Sequence, residues 1–175
     1  YMFYSKKYNL IHDIPENVLD KTLIINVQGD QPFIDPRIIS EIAQQSMILG
    51  DEFDVLTPIY LLKPNEIHNH NKVKVVIRSD NNALYFSRST IPFICGKDQK
   101  EWSNFSNFYG HIGIYAYKAS LLANWSKISS SKLDKLESLE QLRFLEAGYK
   151  IKTILVKSEN FSVDTFDDLQ AINYK

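Results

Sequence analysis

The sequence holds a single cysteine, Cys95, among its 175 residues. One cysteine can form neither an intramolecular disulfide nor a metal site with several cysteine ligands, and we treat Cys95 as incidental because no base lies near it in sequence. No apolar run approaches the roughly 18 residues of a membrane-spanning helix, and the aromatic, polar N-terminus lacks the apolar core of a signal peptide. These absences predict a cytoplasmic protein without a membrane segment.

The chain also lacks an excess of charge of either sign, since 20 basic residues stand against 21 acidic ones. A nucleic-acid-binding domain usually has a basic excess, so we expect no nucleic-acid partner. Apolar residues make up 44% of the chain, enough for one sizeable core. We therefore predict a single domain over residues 1–175.

The hydrophobic pattern predicts strands that alternate with helices. Predicted strands cover residues 23–27, 54–60, 72–78, 83–87, 111–117 and 151–156. Pro58 suits an edge strand or a bulge. Predicted helices cover residues 36–50 and 118–125, then one helix that carries a leucine stripe from Leu133 to Leu145 and ends at Gly148, and a last helix that opens at Thr165. The alternation favours an α/β layered sheet, with an antiparallel hairpin inserted between Lys72 and Tyr117.

The string Gln28-Gly29-Asp30-Gln31-Pro32 follows the first buried strand directly. Ligands of α/β sheets gather beyond the carboxyl ends of strands, and a carboxylate there suits Mg²⁺. The alternative is a plain turn, since glycine, aspartate and proline form turns anywhere.

The string Ser162-Val163-Asp164-Thr165 is the second candidate site. Asp164 is either an ordinary helix cap or, with Thr165 capping instead, a free carboxylate. Together with Asp30 it would form a clamp for a divalent metal.

The remaining candidates could bind an acidic, hydroxyl-rich ligand. Arg88, close to hydroxyl residues in the string LYFSRSTIP, suits a carboxylate or phosphate, or a plain surface salt bridge. His111 is either a structural hydrogen-bonding residue or a ligand contact. Glu137, Glu140, Gln141 and Arg143 flank the leucine stripe and are either a solvated face or, beside a cleft, partners of sugar hydroxyls.

Several strings occur in one order at plausible spacing between residues 23 and 173: VQGDQP, VKVV, ALYFSRSTIP, HIGIYAYK, LESLEQLRFLEAG and VDTFDDL. As an ordered set they resemble the 3-deoxy-manno-octulosonate (Kdo) cytidylyltransferase family. The resemblance implies the nucleotide-diphospho-sugar transferase fold, a three-layer αβα sandwich with a mixed, mostly parallel sheet. It also implies a homodimer and a cytoplasmic step of lipopolysaccharide biosynthesis.

The reaction that the resemblance implies is attack of the anomeric hydroxyl of Kdo on the α-phosphorus of CTP, with pyrophosphate leaving and Mg²⁺ neutralising charge. By resemblance, Asp30 and Asp164 would hold the metal and act as the catalytic residues, and Gln28 would line the site near the nucleotide. The residues expected around the sugar acid are Arg88, His111, Tyr115, Glu140 and Gln141.

This sequence departs from the family pattern at Gln31, Phe166 and Gly110, where the family usually has an acidic residue, a proline and often a basic residue. It also shows no Arg…Pro-Gly-Lys-Pro-Leu string, which grips the CTP phosphates in the family. We therefore expect a C-terminal portion without the nucleotide-binding motif, which by itself binds CTP poorly. The alternatives are a cytidylyltransferase for 8-amino-Kdo or a sialic acid, and an inactive truncated module that only dimerises or binds sugar.

Overall fold

The structure, a computed structural model, describes residues 14–19, 21–28 and 34–157. The predicted last helix at Thr165 lies outside these residues. Short 3₁₀ turns occupy Gln99–Asn104 and Trp125–Lys127. The strands are β1 (Leu23–Val27), β2 (Val55–Leu61), β3 (Lys74–Ile77), β4 (Ala83–Ser87), β5 (Tyr109–His111), β6 (Ile114–Lys118) and β7 (Ile151–Leu155). The helices are α1 (Glu16–Leu19), α2 (Pro36–Leu49), α3 (Ala119–Ala123), α4 (Lys132–Glu137) and α5 (Gln141–Glu146).

The strands form one mixed sheet with β2 at its centre. On one side β2 pairs antiparallel with β6 and then with β5, and on the other side it pairs parallel with β7. β1 extends the sheet from β6, and the β3–β4 hairpin extends it from β5. The mixed sheet and the inserted hairpin are confirmed. In the described part, however, the pairings are mostly antiparallel rather than mostly parallel, since only β2 and β7 pair parallel there.

Two apolar cores cover the two faces of the sheet and give the predicted three layers. On one face, Ile38 and Ile42 of α2 pack with Leu56 and other buried side chains of the sheet. On the other face, Leu142 and Phe144 of α5 belong to the second core, with residues of β2, β6 and β7. Burying each such side chain contributes about 1.5–3 kcal/mol, so both helix layers are fixed mainly by packing.

Helix α2 begins and ends where the sequence predicts. The Asp35 carboxylate caps the helix by accepting a hydrogen bond of 2.9 Å from the backbone N–H of Arg37, and Pro36 occupies the first turn. Gly50 closes the helix at a φ of 52°, which glycine adopts without strain.

The predicted strand 111–117 is two strands. Ile114 N–H donates to the Ile112 carbonyl at 2.7 Å, and this tight turn around Gly113 separates β5 from β6. Pro58 lies opposite the break, where its carbonyl accepts from Ile112 N–H at 3.1 Å. Of the two positions that the sequence suggests for Pro58, an edge strand or a bulge, the edge strand is wrong, because Pro58 also pairs with Ile154 of β7. An internal strand tolerates this proline because the neighbouring ladder is interrupted beside it.

The predicted single helix over the leucine stripe is also wrong, since α4 and α5 are separate. Ser138 ends α4 at a φ of 53°, in the left-handed region. Leucines spaced by three residues drift around a helix of 3.6 residues per turn, so they cannot share one face. Leu136 is accordingly 80% exposed, whereas Leu139 and Leu142 are buried.

The segment between β4 and β5 packs onto the α2 face of the sheet. Trp102 and Phe108 are buried there and their rings stack at 6.3 Å, while Phe105 is exposed. Among the residues that the structure describes, no helix is both long and apolar enough to cross a membrane.

Candidate active site

Gln28 lies at the carboxyl end of β1 and is half-buried. β1 and β2 point the same way because each is antiparallel to β6, and β7 is parallel to β2. Asn26 pairs with Tyr115 of β6 in the register, so strand alternation places Asn26 and Gln28 on the Tyr115 face of the sheet. This is the face that α5 covers.

Asp30 and Asp164, the predicted metal ligands, both lie outside the described residues. Within residues 14–19, 21–28 and 34–157, no group of three or more His, Cys, Asp or Glu side chains could hold a metal ion. The metal assignment therefore stays a prediction from the sequence.

His111 is held at the end of β5 by the hydroxyl of Thr57. The distance from His111 Nε2 to Thr57 Oγ1 is 2.8 Å, and Thr57 Oγ1 also donates to the Ile114 carbonyl at 2.7 Å. A hydroxyl carries one proton, so the bond to His111 requires Nε2–H to be the donor. Nδ1 of the neutral ring is then its hydrogen-bond acceptor.

Burial lowers the pKa of His111 to about 3, so the ring is neutral at pH 7. Its ring also lies 5.0 Å from the Phe86 ring and 5.3 Å from the Tyr115 ring. Fixed between two aromatic rings and in one tautomer, His111 is a positioned neutral hydrogen-bonding group rather than a cation.

Tyr115 and Gln141 form a buried polar pair between β6 and α5. The Tyr115 hydroxyl donates to Oε1 of Gln141 at 3.0 Å, and Gln141 is only 2% exposed. The Nε2 amide of Gln141 is buried and finds no hydrogen-bond partner among the described residues. An unsatisfied buried donor costs about 1–3 kcal/mol, so this amide is a natural binding group for an acceptor such as a sugar hydroxyl.

Tyr117 and Glu140 extend this polar strip along β6. The Tyr117 ring stacks on Tyr115 at 5.7 Å. Burial raises the pKa of Tyr117, the charge of Glu140 adds to the rise, and a side-chain hydrogen bond from Asn26 opposes it. Glu140 is exposed and immediately precedes α5. Its carboxylate is thus close to the strip that holds Tyr115 and Gln141.

Arg88 directly follows β4 and is held by Glu137 of α4. The carboxylate of Glu137 accepts from Ser87 Oγ at 2.6 Å and from the backbone N–H of Arg88 at 3.0 Å, and its carbonyl accepts from Arg88 Nε at 2.9 Å. No carboxylate in the described part of the chain forms an ion pair with the Arg88 guanidinium. Glu137 therefore holds Arg88 in place through hydrogen bonds. The positive charge of the Arg88 guanidinium is not neutralised by a carboxylate of the described residues, so this group can bind an anion.

Lys74 on β3 is a buried cation that the sequence reasoning missed. Its ammonium donates to the backbone carbonyls of Asn69 at 2.9 Å, Lys72 at 2.7 Å and Arg88. Burial, with a smaller contribution from the Arg88 charge and against the effect of Glu137, lowers the pKa of Lys74 to about 8. Its only sequence signal is a lysine inside the β-branched run VKVV.

The structure brings three of the predicted residues into direct contact, since His111 packs on Tyr115 and Tyr115 bonds to Gln141. Arg88 is linked to them indirectly, because it lies two residues after Phe86, whose ring contacts the His111 ring. Thr57 was missed because nothing in the sequence pairs it with a histidine 54 residues away.

A cleft of about 750 Å³ opens at the opposite edge of the sheet, around Asp54 and Lys118. Of the candidate residues named from the sequence, Arg143 lines this cleft, and its Nε donates to the Asp134 carboxylate at 2.9 Å. Tyr115, Tyr117, Glu140 and Gln141 of the polar strip do not line it, so we do not assign it to the same function.

The three-layer arrangement, with polar groups from β1, β5, β6 and α5 on one face, is that of a nucleotide-diphospho-sugar transferase. A family model described as cytidylyltransferase matches residues 6–154. The chain belongs to this cytidylyltransferase family.

Several relatives are about two fifths identical to this chain over the aligned residues. The 3-deoxy-manno-octulosonate cytidylyltransferase of Parabacteroides distasonis is 41% identical over 156 residues, which are 85% of this chain and 60% of that protein. The 8-amino-3,8-dideoxy-manno-octulosonate cytidylyltransferase of Shewanella pealeana is 41% identical over 152 residues, covering 86% and 60%. The chain thus spans about three fifths of the length of these relatives.

Solved structures agree with the fold. A structure of CMP:2-keto-3-deoxy-manno-octonic acid synthetase complexed with CTP is similar with a TM-score of 0.76 and 34% identity, covering 90% of this chain and 64% of that one. A glucose-1-phosphate thymidylyltransferase from Bacillus anthracis is similar with a TM-score of 0.50 at 12% identity, which supports the fold alone.

Proposed function

We propose that the full-length protein transfers CMP from CTP to the anomeric hydroxyl of Kdo and releases pyrophosphate. The observation that carries this proposal is the buried Gln141 amide, whose Oε1 accepts from Tyr115 while Nε2 has no partner among the described residues. A hydroxyl-rich substrate supplies the missing acceptor. The likeness to Kdo cytidylyltransferases at 41% identity supports the choice of sugar.

The proposed CMP transfer changes no oxidation state, so it needs neither an oxidant nor a reductant. The anomeric oxygen forms a bond to the α-phosphorus, the bond from that phosphorus to the β-phosphate bridge breaks, and the hydroxyl proton goes to solvent. We assign Arg88 to the sugar carboxylate, because a guanidinium binds such a group with two parallel hydrogen bonds. Neutral His111, Glu140 and Gln141 bind sugar hydroxyls, and Gln28 lines the nucleotide side.

We assign Mg²⁺ to Asp30 and Asp164, where it would neutralise the phosphate charge. The support is the donor set, since two carboxylates suit this hard cation. The strand directions support the same assignment, since β1 precedes Asp30 in the chain, β7 precedes Asp164, and both strands point the same way. Asp30→Asn and Asp164→Asn should each lower turnover by about 10²-fold or more. Near-normal turnover in both variants would refute the metal assignment.

A coupled pyrophosphate-release assay on the full-length protein, with CTP, Kdo and Mg²⁺, tests the reaction. Release that depends on all three components supports it. Sugar binding in calorimetry without any release would indicate a non-catalytic sugar-binding module instead.

The second candidate is a cytidylyltransferase for 8-amino-Kdo. It is favoured by the Shewanella pealeana relative, which matches as well as the Kdo enzymes do. The exposed carboxylate of Glu140 could pair with a sugar ammonium. A substrate panel of Kdo, 8-amino-Kdo and a sialic acid, compared by kcat/KM, decides among the sugars.

We further propose a cytoplasmic homodimer. Phe93 is 70% exposed on the loop that also carries exposed Phe105, and such aromatic side chains are enriched at interfaces. Residues 114–117 of β6 are buried within this chain, so they offer no surface for an interface. Sedimentation of the protein and of a Phe93→Ser variant tests the assignment, since a dimer that uses this loop should dissociate in the variant.

A further inference from the structure

Both backbone polar groups of Arg88 are hydrogen-bonded to side chains of other segments. Its N–H donates to the Glu137 carboxylate at 3.0 Å, and its carbonyl accepts from the ammonium of Lys74. His70 Nδ1 also lies 3.3 Å from the same carbonyl. A residue bonded at both its N–H and its C=O by side chains from other segments cannot shift without breaking charged hydrogen bonds.

Lys74 is completely buried, which is unusual for lysine. Its three N–H groups match three carbonyls, those of Asn69, Lys72 and Arg88, so the charge is fully hydrogen-bonded. These carbonyls belong to the 69–72 segment and to the chain after β4. Lys74 thus joins two loops that the sheet itself does not hold together.

We propose that Lys74 is a positioning residue, which together with Glu137 fixes Arg88 in the place where its guanidinium binds the sugar carboxylate. This inference rests on the proposed function. Lys74 touches no substrate in this scheme, because its three donors are all used by backbone carbonyls. Its effect is on sugar affinity rather than on the bond-making step.

The first test replaces Lys74 by methionine, which fills the same space without the donors, in the full-length protein. Sugar KM should rise about tenfold or more, since misplacing a binding group by about 1 Å can cost up to about 10²-fold. The kcat and the KM for CTP should change little. The matched control is Val75→Ala, which loosens the same strand at a buried apolar residue of the second core, whose side chain cannot form hydrogen bonds.

The second test measures the pH dependence of the wild-type protein, so it does not depend on whether a Lys74 variant folds. Because the pKa of Lys74 is lowered to about 8, its side chain loses a proton above that pH and keeps two N–H groups for three carbonyls. The sugar KM should therefore rise between pH 7 and 9.5, while the CTP KM should not change. The charged or titratable groups facing Lys74 are Arg88, Glu137 and His70. A His70→Gln variant should keep the rise if Lys74 causes it.

The outcomes separate this inference from the proposed function. A folded Lys74→Met variant with unaltered sugar KM overturns the inference alone. If that variant does not fold, the pH profile decides, and a flat sugar KM overturns the inference. An unmodified protein that releases no pyrophosphate overturns the proposed function and this inference with it.

Discussion

The Tyr115 hydroxyl donates to Oε1 of Gln141 at 3.0 Å, and the two residues come from β6 and α5. Both side chains are buried, so the bond joins the sheet to the helix layer inside the second core. The same contact orients the Gln141 amide, because an oxygen that accepts from Tyr115 leaves the nitrogen on the other side.

Tyr115→Phe should destabilise the protein by about 1–3 kcal/mol, because Oε1 of Gln141 then loses a buried donor. Gln141→Leu leaves the Tyr115 hydroxyl without this acceptor but also removes the unsatisfied Nε2 amide, so it should destabilise the protein less. The double variant should be less destabilised than the sum of the singles. Urea unfolding of the four proteins measures the coupling, and additive effects would mean that the bond contributes nothing.

Arg88→Lys tests the planar fork, since lysine keeps the charge and loses the paired donors. We expect sugar KM to rise about tenfold or more with CTP KM unchanged, because a charge-assisted hydrogen bond contributes roughly 1.5–3 kcal/mol. Steady-state kinetics with each substrate varied in turn measures the effect.

The control for Arg88→Lys is Arg78→Lys. Arg78 is an exposed arginine whose guanidinium pairs with Asp80 at 3.1 Å, beyond the far end of β3. The Arg78→Lys substitution should leave the KM values for the sugar and for CTP unaltered. An equal rise in sugar KM for the two variants would contradict a specific role for Arg88.

The sequence predicts the elements whose signals are local. Helix α2 follows from Asp35, Pro36 and Gly50, and β1 from a short β-branched run. The sequence does not predict the break at Ser138, because the leucine stripe suggests a single helix even though a spacing of three residues does not fit 3.6 residues per turn. The break at Gly113 depends on pairing with Pro58, which only the folded sheet reveals.

The candidate site also combines predicted and unpredicted residues. The ordered strings predict Arg88, His111, Tyr115, Glu140 and Gln141 as site residues, and contacts join His111, Tyr115 and Gln141. Thr57 and Lys74 were not found, because their roles lie in hydrogen bonds to backbone carbonyls of distant segments. Side chains that serve the backbone leave little trace in a sequence pattern.

His111 predicts a specific dependence of stability on pH. Burial lowers the pKa of His111 to about 3, while the unfolded chain keeps an ordinary value near 6.5. Between these values the unfolded state binds one proton more than the folded state, so stability falls as pH drops from about 6.5 towards 3. The slope from this residue is at most about 1.4 kcal/mol per pH unit.

A His111→Gln variant should lose this part of the slope. Urea unfolding of both proteins at pH 7, 5.5 and 4.5 gives the difference, in which the titration of shared carboxylates cancels. His68→Gln is the control, because His68 is an exposed histidine that bonds to Thr90. The idea is wrong if the stability difference between wild type and His111→Gln is independent of pH.

Gly110 makes a close approach that the family pattern did not suggest, since a basic residue often stands there. A Cβ at this position would lie 2.5 Å from Cε1 and Cζ of the Tyr60 ring. Tyr60 pairs with Gly110 in the β2–β5 register and is buried in the first core. Gly110→Ala should therefore destabilise the protein by about 1–3 kcal/mol through overpacking.

Tyr60→Leu shortens the side chain at the point of collision, so adding Gly110→Ala to the Tyr60→Leu variant should have a smaller effect. Thermal or urea unfolding of the cycle measures both effects. Equal effects of Gly110→Ala in the two backgrounds would show that the Tyr60 ring is not what requires glycine beside His111.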